Sequence, residues 1–363
     1  MGTGSTRVVV AMSGGVDSSA AAGLLVERGY DVIGLMMRLW TEDDGCGGRH
    51  NRCCTPDQMA DARRVADRLG IPFYVVDMRA TFKASVVDPF IDAYAAGLTP
   101  NPCLNCNRHI RFGALLKQAQ AMDAAYLATG HYARIRQSED GAYQLLKGLD
   151  PAKDQSYVLS VMTQRQLAQV LFPAGDYTKE HIRQIAADLG LHIARKPESQ
   201  DLCFLADGDY RGFLARHAPG SATPGPIVNT QGERLGTHTG LPHYTVGQRK
   251  GLGLSAPTPL YVVGADVAAN TLIVGARDVL GRDALVARHV NWVAGAPPDG
   301  PVRAGVKIRY RARETAATVT PDGATTARVK FDAPLRDITP GQAAVFYQGD
   351  VCLGGGVIAR QPA

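Results

Sequence analysis

The chain has 363 residues, 45% of them hydrophobic and 20% charged, with a formal net charge of +5. That length predicts two or three domains, and the composition is that of a globular protein rather than a disordered one. No apolar run is long enough to span a bilayer and none follows the start as a secretory signal would, so a cytoplasmic protein without a membrane partner is expected. The mild positive charge permits a nucleic-acid partner without demanding one. Seven cysteines in such a chain are not expected to be a disulfide framework.

Strands and helices alternate through the first half. Arg7–Met12 is a short β-branched run that reads as a buried strand, followed by a Gly-rich turn and a helix from about Asp17 to Arg28. Asp31–Met37 is the next strand. Thr55-Pro56 opens a helix that Gly70 stops, and Ile71–Asp77 is the third strand. Helices follow over Thr81–Ala96 and Asn107–Met122, then a fourth strand over Ala125–Thr129. This order predicts an α/β fold with a doubly wound parallel sheet. After about Cys203 helices become scarce, and short alternating strands take over: Leu260–Val263, Thr271–Val274, Val306–Arg311, Ala327–Phe331 and Ala343–Tyr347. The expected division is a catalytic domain over 1–205, a small β-rich connector over 206–278 and a C-terminal β-barrel over 279–363.

Ser13-Gly14-Gly15-Val16-Asp17-Ser18-Ser19 joins the first strand to the first helix. Its glycines let backbone N–H groups face inward, the helix start favours an anion, and the serines add donors. Asp17 offers a carboxylate for Mg²⁺ on a triphosphate. The Lys-Ser/Thr ending of a Walker loop and the third Gly of a dinucleotide fingerprint are both missing. The string resembles the pyrophosphate loop of the N-type ATP pyrophosphatases. That resemblance implies ATP binding by Ala11, Met12, Ser13, Gly14, Gly15, Val16, Asp17 and Ser18, with Met37 at the adenine and Gly130 at the same sheet edge.

Two cysteine strings lie about a hundred residues apart: Asn101-Pro102-Cys103-Leu104-Asn105-Cys106-Asn107 and Glu198-Ser199-Gln200-Asp201-Leu202-Cys203-Phe204. With a helix beginning near Asn107, Cys106 would sit at its positive end, which favours thiolate. Lys196, Arg108 and Arg111 are near in sequence as further positive charge. A thiolate can accept a sulfur and release it by exchange with a second thiol. Cys46, Cys53 and Cys54, with His50, lack a paired Cys-x-x-Cys and read as a loop rather than a zinc site. Cys352 reads as a buried small hydrophobe.

These strings, together with Thr99-Pro100-Asn101-Pro102, Gly130-His131-Tyr132, Lys153-Asp154-Gln155-Ser156-Tyr157, Arg309-Tyr310-Arg311 and Pro340-Gly341-Gln342, resemble the tRNA-uridine 2-sulfurtransferases, the MnmA family of tRNA-specific 2-thiouridylases. The likeness runs over nearly the whole chain. It implies that ATP adenylates the C2 oxygen of the wobble uridine, with tRNAs for Lys, Glu and Gln as acceptors. Cys203 then carries a persulfide from a cysteine desulfurase or a persulfide-relay protein, and Cys106 resolves it through a transient disulfide. It also implies tRNA contacts at Asn101, Pro102, Cys103, His131, Lys153, Asp154, Gln155, Arg309, Tyr310 and Gln342. One departure stands out: many members carry Asp where this chain has Cys103. Cys103, Cys106 and Cys203 together offer three thiolates, a set that would hold an iron–sulfur cluster with one open iron, as in related tRNA thiolases. A small-molecule adenylating ligase of the argininosuccinate-synthetase type is the alternative from outside RNA chemistry; the paired cysteine strings and the barrel count against it.

Arg309, Arg311 and Arg313 alternate along a run read as a strand, which would set the cations on one face and Tyr310 on the other. Arginine and aromatic groups suit an unstacked base and its phosphates. Tyr244, Gln248, Arg249 and Lys250 in the connector add a second candidate RNA surface.

Overall fold

The computed structural model describes residues 5–42, 55–197, 202–205, 208–220 and 222–360. Cys46, His50, Cys53, Cys54 and Glu198–Asp201 lie outside the described residues. Among the described residues no helix is long and apolar enough to cross a membrane.

The first sheet is built from β1 (Arg7–Ala11), β2 (Asp31–Arg38), β3 (Phe73–Asp77), β4 (Tyr126–Ala128) and β7 (Val170–Leu171), all parallel, in the order β3-β2-β1-β4-β7. Val8, Val9 and Val10 are fully buried, as a central strand requires. The order runs outward from β1 in both directions, so the crevice at the carboxyl ends of β1 and β4 is the topological switch point where such sheets bind ligands. Helix α1 (Val16–Glu27) is buried on all sides by virtue of Ala20, Ala21 and Ala22. Helix α2 (Pro56–Leu69) starts on a Thr55/Gln58 capping box and stops at Gly70. Residues 79–95 form α3 and residues 102–120 form α4, each with a wide-turned stretch. Later helices are α5 (Lys179–Asp188), which packs on α1, and α6 (Tyr210–His217).

The middle sheet has the order β10-β11-β8-β9, from β8 (Gly225–Val228), β9 (Arg234–His238), β10 (Tyr261–Asp266) and β11 (Thr271–Gly275). The barrel runs β12 (Arg282–Trp292), β15 (Thr326–Leu335), β14 (Thr315–Pro321), β13 (Val302–Lys307), β16 (Ala343–Gln348) and β17 (Val351–Ile358), and a β12–β17 pairing closes it. Two more strands continue its sheet: β6 (Tyr143–Lys147) pairs with β17, and β5 (Ala133–Gln137) pairs with β6. This hairpin comes from the first half of the chain and was not expected from its sequence. Leu145 stands opposite Cys352 and Leu146 opposite Val351. One hydrophobic cluster accordingly contains Phe90, Cys106, Phe112 and Leu145 from the first half and Val293, Val345, Tyr347 and Cys352 from the barrel.

Two boundaries differ from the sequence reading in ways that matter. Helix α4 begins at Pro102, because Asn101 accepts a hydrogen bond from the Cys103 amide (3.1 Å) and Pro102 suits the first turn. Strand β13 ends at Lys307, and residues 309–311 form a turn, so the alternating-face argument for Arg309, Arg311 and Arg313 does not hold.

The barrel also grips the loop that leads into α4. Gly341 has φ +92°, and a Cβ there would lie 2.8 Å from the Thr99 amide nitrogen and 3.0 Å from Leu98 Cβ. Thr99 N donates to Pro340 O (3.0 Å), and Gln342 Nε2 donates to Thr99 O (3.0 Å). Gly341→Ala should therefore lower stability by about 1–3 kcal/mol through strain and lost docking. Urea unfolding checks this, and proteolysis of the 98–102 segment should become faster.

Candidate active site

The turn after β1 is tied together by its own hydroxyls. Ser18 Oγ accepts from Ser13 N (3.2 Å), lies 3.3 Å from Ser13 Oγ and donates to Gly15 O (3.2 Å). Ser19 Oγ also donates to Gly15 O (2.9 Å). Gly14 has φ +70°, and a Cβ there would stand 2.3 Å from Gln58 O, so the first turn of α2 covers the loop. Lys196 Nζ donates to Gly14 O (3.0 Å) and to Asp61 Oδ2 (2.6 Å). Lys196 thus belongs to the loop and not to the cysteine strings. The other side of the loop meets β4, where Gly130 abuts the Asp17–Ser18 peptide. The predicted loop residues and Gly130 are thereby brought together at the switch point. Met37, the penultimate residue of β2, is half-buried against the cluster that holds Cys106.

Asp17 is engaged from two directions. Lys179 Nζ donates to both carboxylate oxygens (2.7 and 2.9 Å), and Tyr132 Oη donates to Oδ1 (2.6 Å). As placed, Asp17 orders a lysine at the phosphate loop rather than standing open to a cation. Among the described residues no group of three or more His, Cys, Asp or Glu side chains is disposed to hold a metal. Lys179 was not found from sequence: Thr178 marks the start of α5 by accepting from the His181 amide, but nothing local marks the lysine beside it.

The thiols differ sharply in setting. Cys103, in the first turn of α4, is exposed; Cys106, one turn on, is buried. The positive end of the helix therefore falls at Cys103, not at Cys106 as expected. Cys203 is half-buried and packs against the same cluster as Cys106 and Met37. The turn that carries it is anchored by Phe204, whose ring meets Phe82, Phe90 and Phe213 at centroid separations of 6.1, 5.1 and 5.6 Å. Glu42 accepts from Arg216 Nη2 (3.0 Å) and lies 3.0 Å from His217 Nε2. The Arg216 hydrogen bond is the main cause that holds its carboxyl below the usual range. This ties the segment after β2 to α6. Although Cys103, Cys106 and Cys203 are all described, they do not form a three-thiolate metal set, so the cluster reading finds no support in the geometry.

The expected RNA-contact residues fall mostly at internal joints. His131 is buried between Phe112 and Phe172, each 5.9 Å away by ring centroid. Its Nε2 lies 3.3 Å from Arg111 Nη1 and its Nδ1 lies 2.7 Å from Thr129 Oγ1. A guanidinium can only donate, so Nε2 accepts and the ring proton sits on Nδ1. Arg111 Nη1 also donates to Asn107 Oδ1 (3.2 Å), and Asn107 Nδ2 to Val158 O (2.9 Å). Asp154 is buried and accepts from Gly148 N (3.1 Å), Ser156 N (3.0 Å) and Ser156 Oγ (3.0 Å). Gln155 Oε1 accepts from Tyr132 N (2.9 Å), and Lys153 is half-buried. Arg309 Nη2 donates to Thr339 Oγ1 (2.7 Å) and Val246 O (3.4 Å). Tyr310 is exposed, its ring edge-on to Tyr157 at 6.1 Å. In the connector, Arg249 and Lys250 are exposed, while Thr245 Oγ1 reaches Thr99 Oγ1 (3.5 Å).

A parallel sheet with a hydroxyl-rich anion loop at its switch point defines a nucleotide-binding enzyme fold carrying a β-barrel. Comparison with known proteins agrees. Residues 6–207 match the tRNA methyl transferase HUP domain, residues 211–276 the tRNA methyl transferase PRC-barrel domain and residues 282–358 the aminomethyltransferase beta-barrel domain. The chain is 53% identical over 354 residues to the tRNA-specific 2-thiouridylase MnmA of Magnetococcus marinus, covering 97% of this chain and 98% of that one. It is 52% identical over 351 residues to the MnmA of Moorella thermoacetica, with 96% and 98% covered. The chain belongs to the MnmA family of tRNA-specific 2-thiouridylases. Among solved structures, the U34-tRNA thiolase NcsA of Methanococcus maripaludis aligns with a TM-score of 0.36 and 18% identity, covering 60% of this chain and 69% of that one.

Burial, and secondarily Arg111, holds the His131 imidazole well below its usual pKa, so the folded protein keeps it neutral. The unfolded chain takes up that proton near pH 6.5 while the folded one does not. The stability linked to His131 is therefore fully present above pH 6.5 and is lost as pH falls towards the depressed folded value. His131→Gln retains an oxygen for Arg111 and cannot titrate. Urea unfolding at pH 7.5 and 5.0 should show a smaller acid loss for this variant than for the wild type.

Proposed function

We propose that this chain uses ATP to replace the C2 oxygen of the wobble uridine of tRNA with sulfur carried on Cys203. The supporting observation is that Met37, from the nucleotide edge of β2, and Cys203 both pack against the hydrophobic cluster that contains Cys106. A shared core supports a reading in which nucleotide and thiol chemistry meet, as they must if an adenylate is formed and consumed without meeting water.

The uridine oxygen attacks the α-phosphorus of ATP and pyrophosphate leaves into the Ser13–Ser18 loop, where the start of α1 and the serine hydroxyls accept its charge. Lys179, aligned by Asp17, supplies a fixed positive charge at that loop. Mg²⁺ would arrive on the triphosphate, held by phosphate oxygens and water, and would offset the charge of the leaving pyrophosphate. The terminal sulfur of a Cys203 persulfide then attacks C2 and AMP departs. The Cys106 thiolate attacks Cys203 Sγ, the sulfur–sulfur bond breaks towards the base, and a Cys106–Cys203 disulfide remains. A cysteine desulfurase or a persulfide-relay protein supplies the sulfur. The acceptors are tRNAs for Lys, Glu and Gln, bound along Asn101–Cys103, Lys153, Arg309 and Tyr310, with His131, Asp154, Gln155 and Gln342 shaping those surfaces from beneath.

The test is single-turnover thiolation of unmodified tRNA with ATP and a small-molecule persulfide. Cys203→Ser and Cys106→Ser should each lose at least about 10³-fold in rate while binding ATP as the wild type does. Full thiolation by either variant would remove that residue from the mechanism. Lys179→Ala and Asp17→Ala should slow AMP formation by about 10²–10³-fold. ATP–pyrophosphate exchange at full rate without RNA would point instead to a small-molecule ligase.

A further inference from the structure

Resting on the sulfur-carrying roles of Cys106 and Cys203, a third thiol acquires a task. The disulfide left after each transfer must be opened before Cys203 can be loaded again. One of its sulfurs, on Cys106, is buried, with 6% of its surface exposed. Thiol–disulfide exchange requires access along the sulfur–sulfur axis, so a soluble reductant is shut out from Cys106 Sγ and has only restricted access to the half-buried Cys203 Sγ. Cys103 is exposed and lies one turn before Cys106 on α4. The Cα spacing of residues three apart on a helix falls in the range a disulfide spans, and their Cβ atoms, roughly 5–6 Å apart, must close by about 1–2 Å, a movement confined to the first turn of the helix. The Cys103 amide is held by Asn101 Oδ1 at the start of the helix, which places this thiol at the positive end of α4, where thiolate is favoured.

We propose that Cys103 is the thiol that reopens the site. Its thiolate attacks Sγ of Cys106; the Cys103–Cys106 bond forms, the Cys106–Cys203 bond breaks, and Cys203 leaves as a thiolate ready for the next persulfide. This exchange is redox-neutral. The two electrons enter afterwards, when an external thiol reduces the solvent-facing Cys103–Cys106 disulfide and is itself oxidised. The arrangement moves the disulfide from a buried and a half-buried cysteine to a pair that includes the exposed Cys103, where the surroundings can reduce it.

The experiment uses the full chain, unmodified tRNA, ATP and a persulfide of a small thiol, quenched with an alkylating agent after one turnover and mapped by peptide mass spectrometry. Wild-type protein should carry a Cys103–Cys106 disulfide. Cys103→Ser should instead accumulate Cys106–Cys203, and its steady-state rate should fall about tenfold or more relative to its own first turnover. Dithiothreitol, a stronger and smaller reductant, should restore part of that ratio. Accumulation of Cys106–Cys203 in the wild type, with an unchanged ratio in Cys103→Ser, would overturn the proposal, as would activity that requires iron held by the three cysteines. Thiolation that survives Cys203→Ser would instead sink the underlying sulfur-carrier reading. Disulfide mapping of the wild type decides the matter even if the serine variant folds poorly.

Discussion

A short ladder between β6 and β17 holds the two ends of this molecule together. Leu145 and Leu146 face Cys352 and Val351, and Lys147 N donates to Asp350 O (2.9 Å) just beyond them. The hairpin that makes this pairing begins at Ala133, directly after His131 and Tyr132. Tyr132 reaches Asp17 through its hydroxyl, and His131 reaches Thr129 and Arg111. The barrel therefore fixes the strand edge that fixes the phosphate loop. A second grip, Pro340–Gln342 on Thr99, sets the residue from which the cysteine helix departs.

Charge gathers at this joint as well, around the buried Asp154 and the half-buried Lys147 and Lys307. Lys147 pairs with Glu314 (2.7 Å), and Lys307 lies 3.5 Å from Asp154. Both lysines stand over the Tyr347 ring, at 4.8 and 5.4 Å, and the Tyr347 hydroxyl is 3.1 Å from Ser156 Oγ. Removing such groups from water offsets much of their attraction, so the net gain in stability is small. Their effect is on geometry: a shifted barrel would take Lys307 from the buried Asp154 and leave that carboxylate only its local bonds from Gly148 and Ser156. The Lys153–Gln155 segment is thus held by its own local hydrogen bonds and by Lys307 of the barrel together.

What could be read from sequence follows from the range of the interactions involved. The parallel sheet was legible because β1 and β2 are apolar runs buried on both faces, with turn signals between the strands, and α2 because Thr55, Pro56, Gln58 and Gly70 are local signals. The β5–β6 hairpin was not, because Ala133–Gln137 and Tyr143–Lys147 mix polar and apolar residues and their partner strand lies about two hundred residues away. Lys179 was invisible for the same reason, its carboxylate partner being 162 residues distant. The start of α4 was legible and misread: Asn101 and Pro102 are a cap and a first-turn proline, and they place the helix start five residues before Asn107. The Arg309–Arg311 run failed differently, since alternation carries meaning only where the backbone is extended.

Cys352 gives the barrel a quieter role in sulfur chemistry. Facing Leu145 in the joint, it is buried, and chiefly for that reason its thiol is pushed up to about 12. At pH 7 only on the order of one part in 10⁵ of it is thiolate. Persulfide sulfur passes between thiolates, so a thiol held this way neither captures cargo nor scrambles a disulfide. The same apolar joint that fastens two halves of the enzyme also insulates one of its cysteines from the traffic a few strands away.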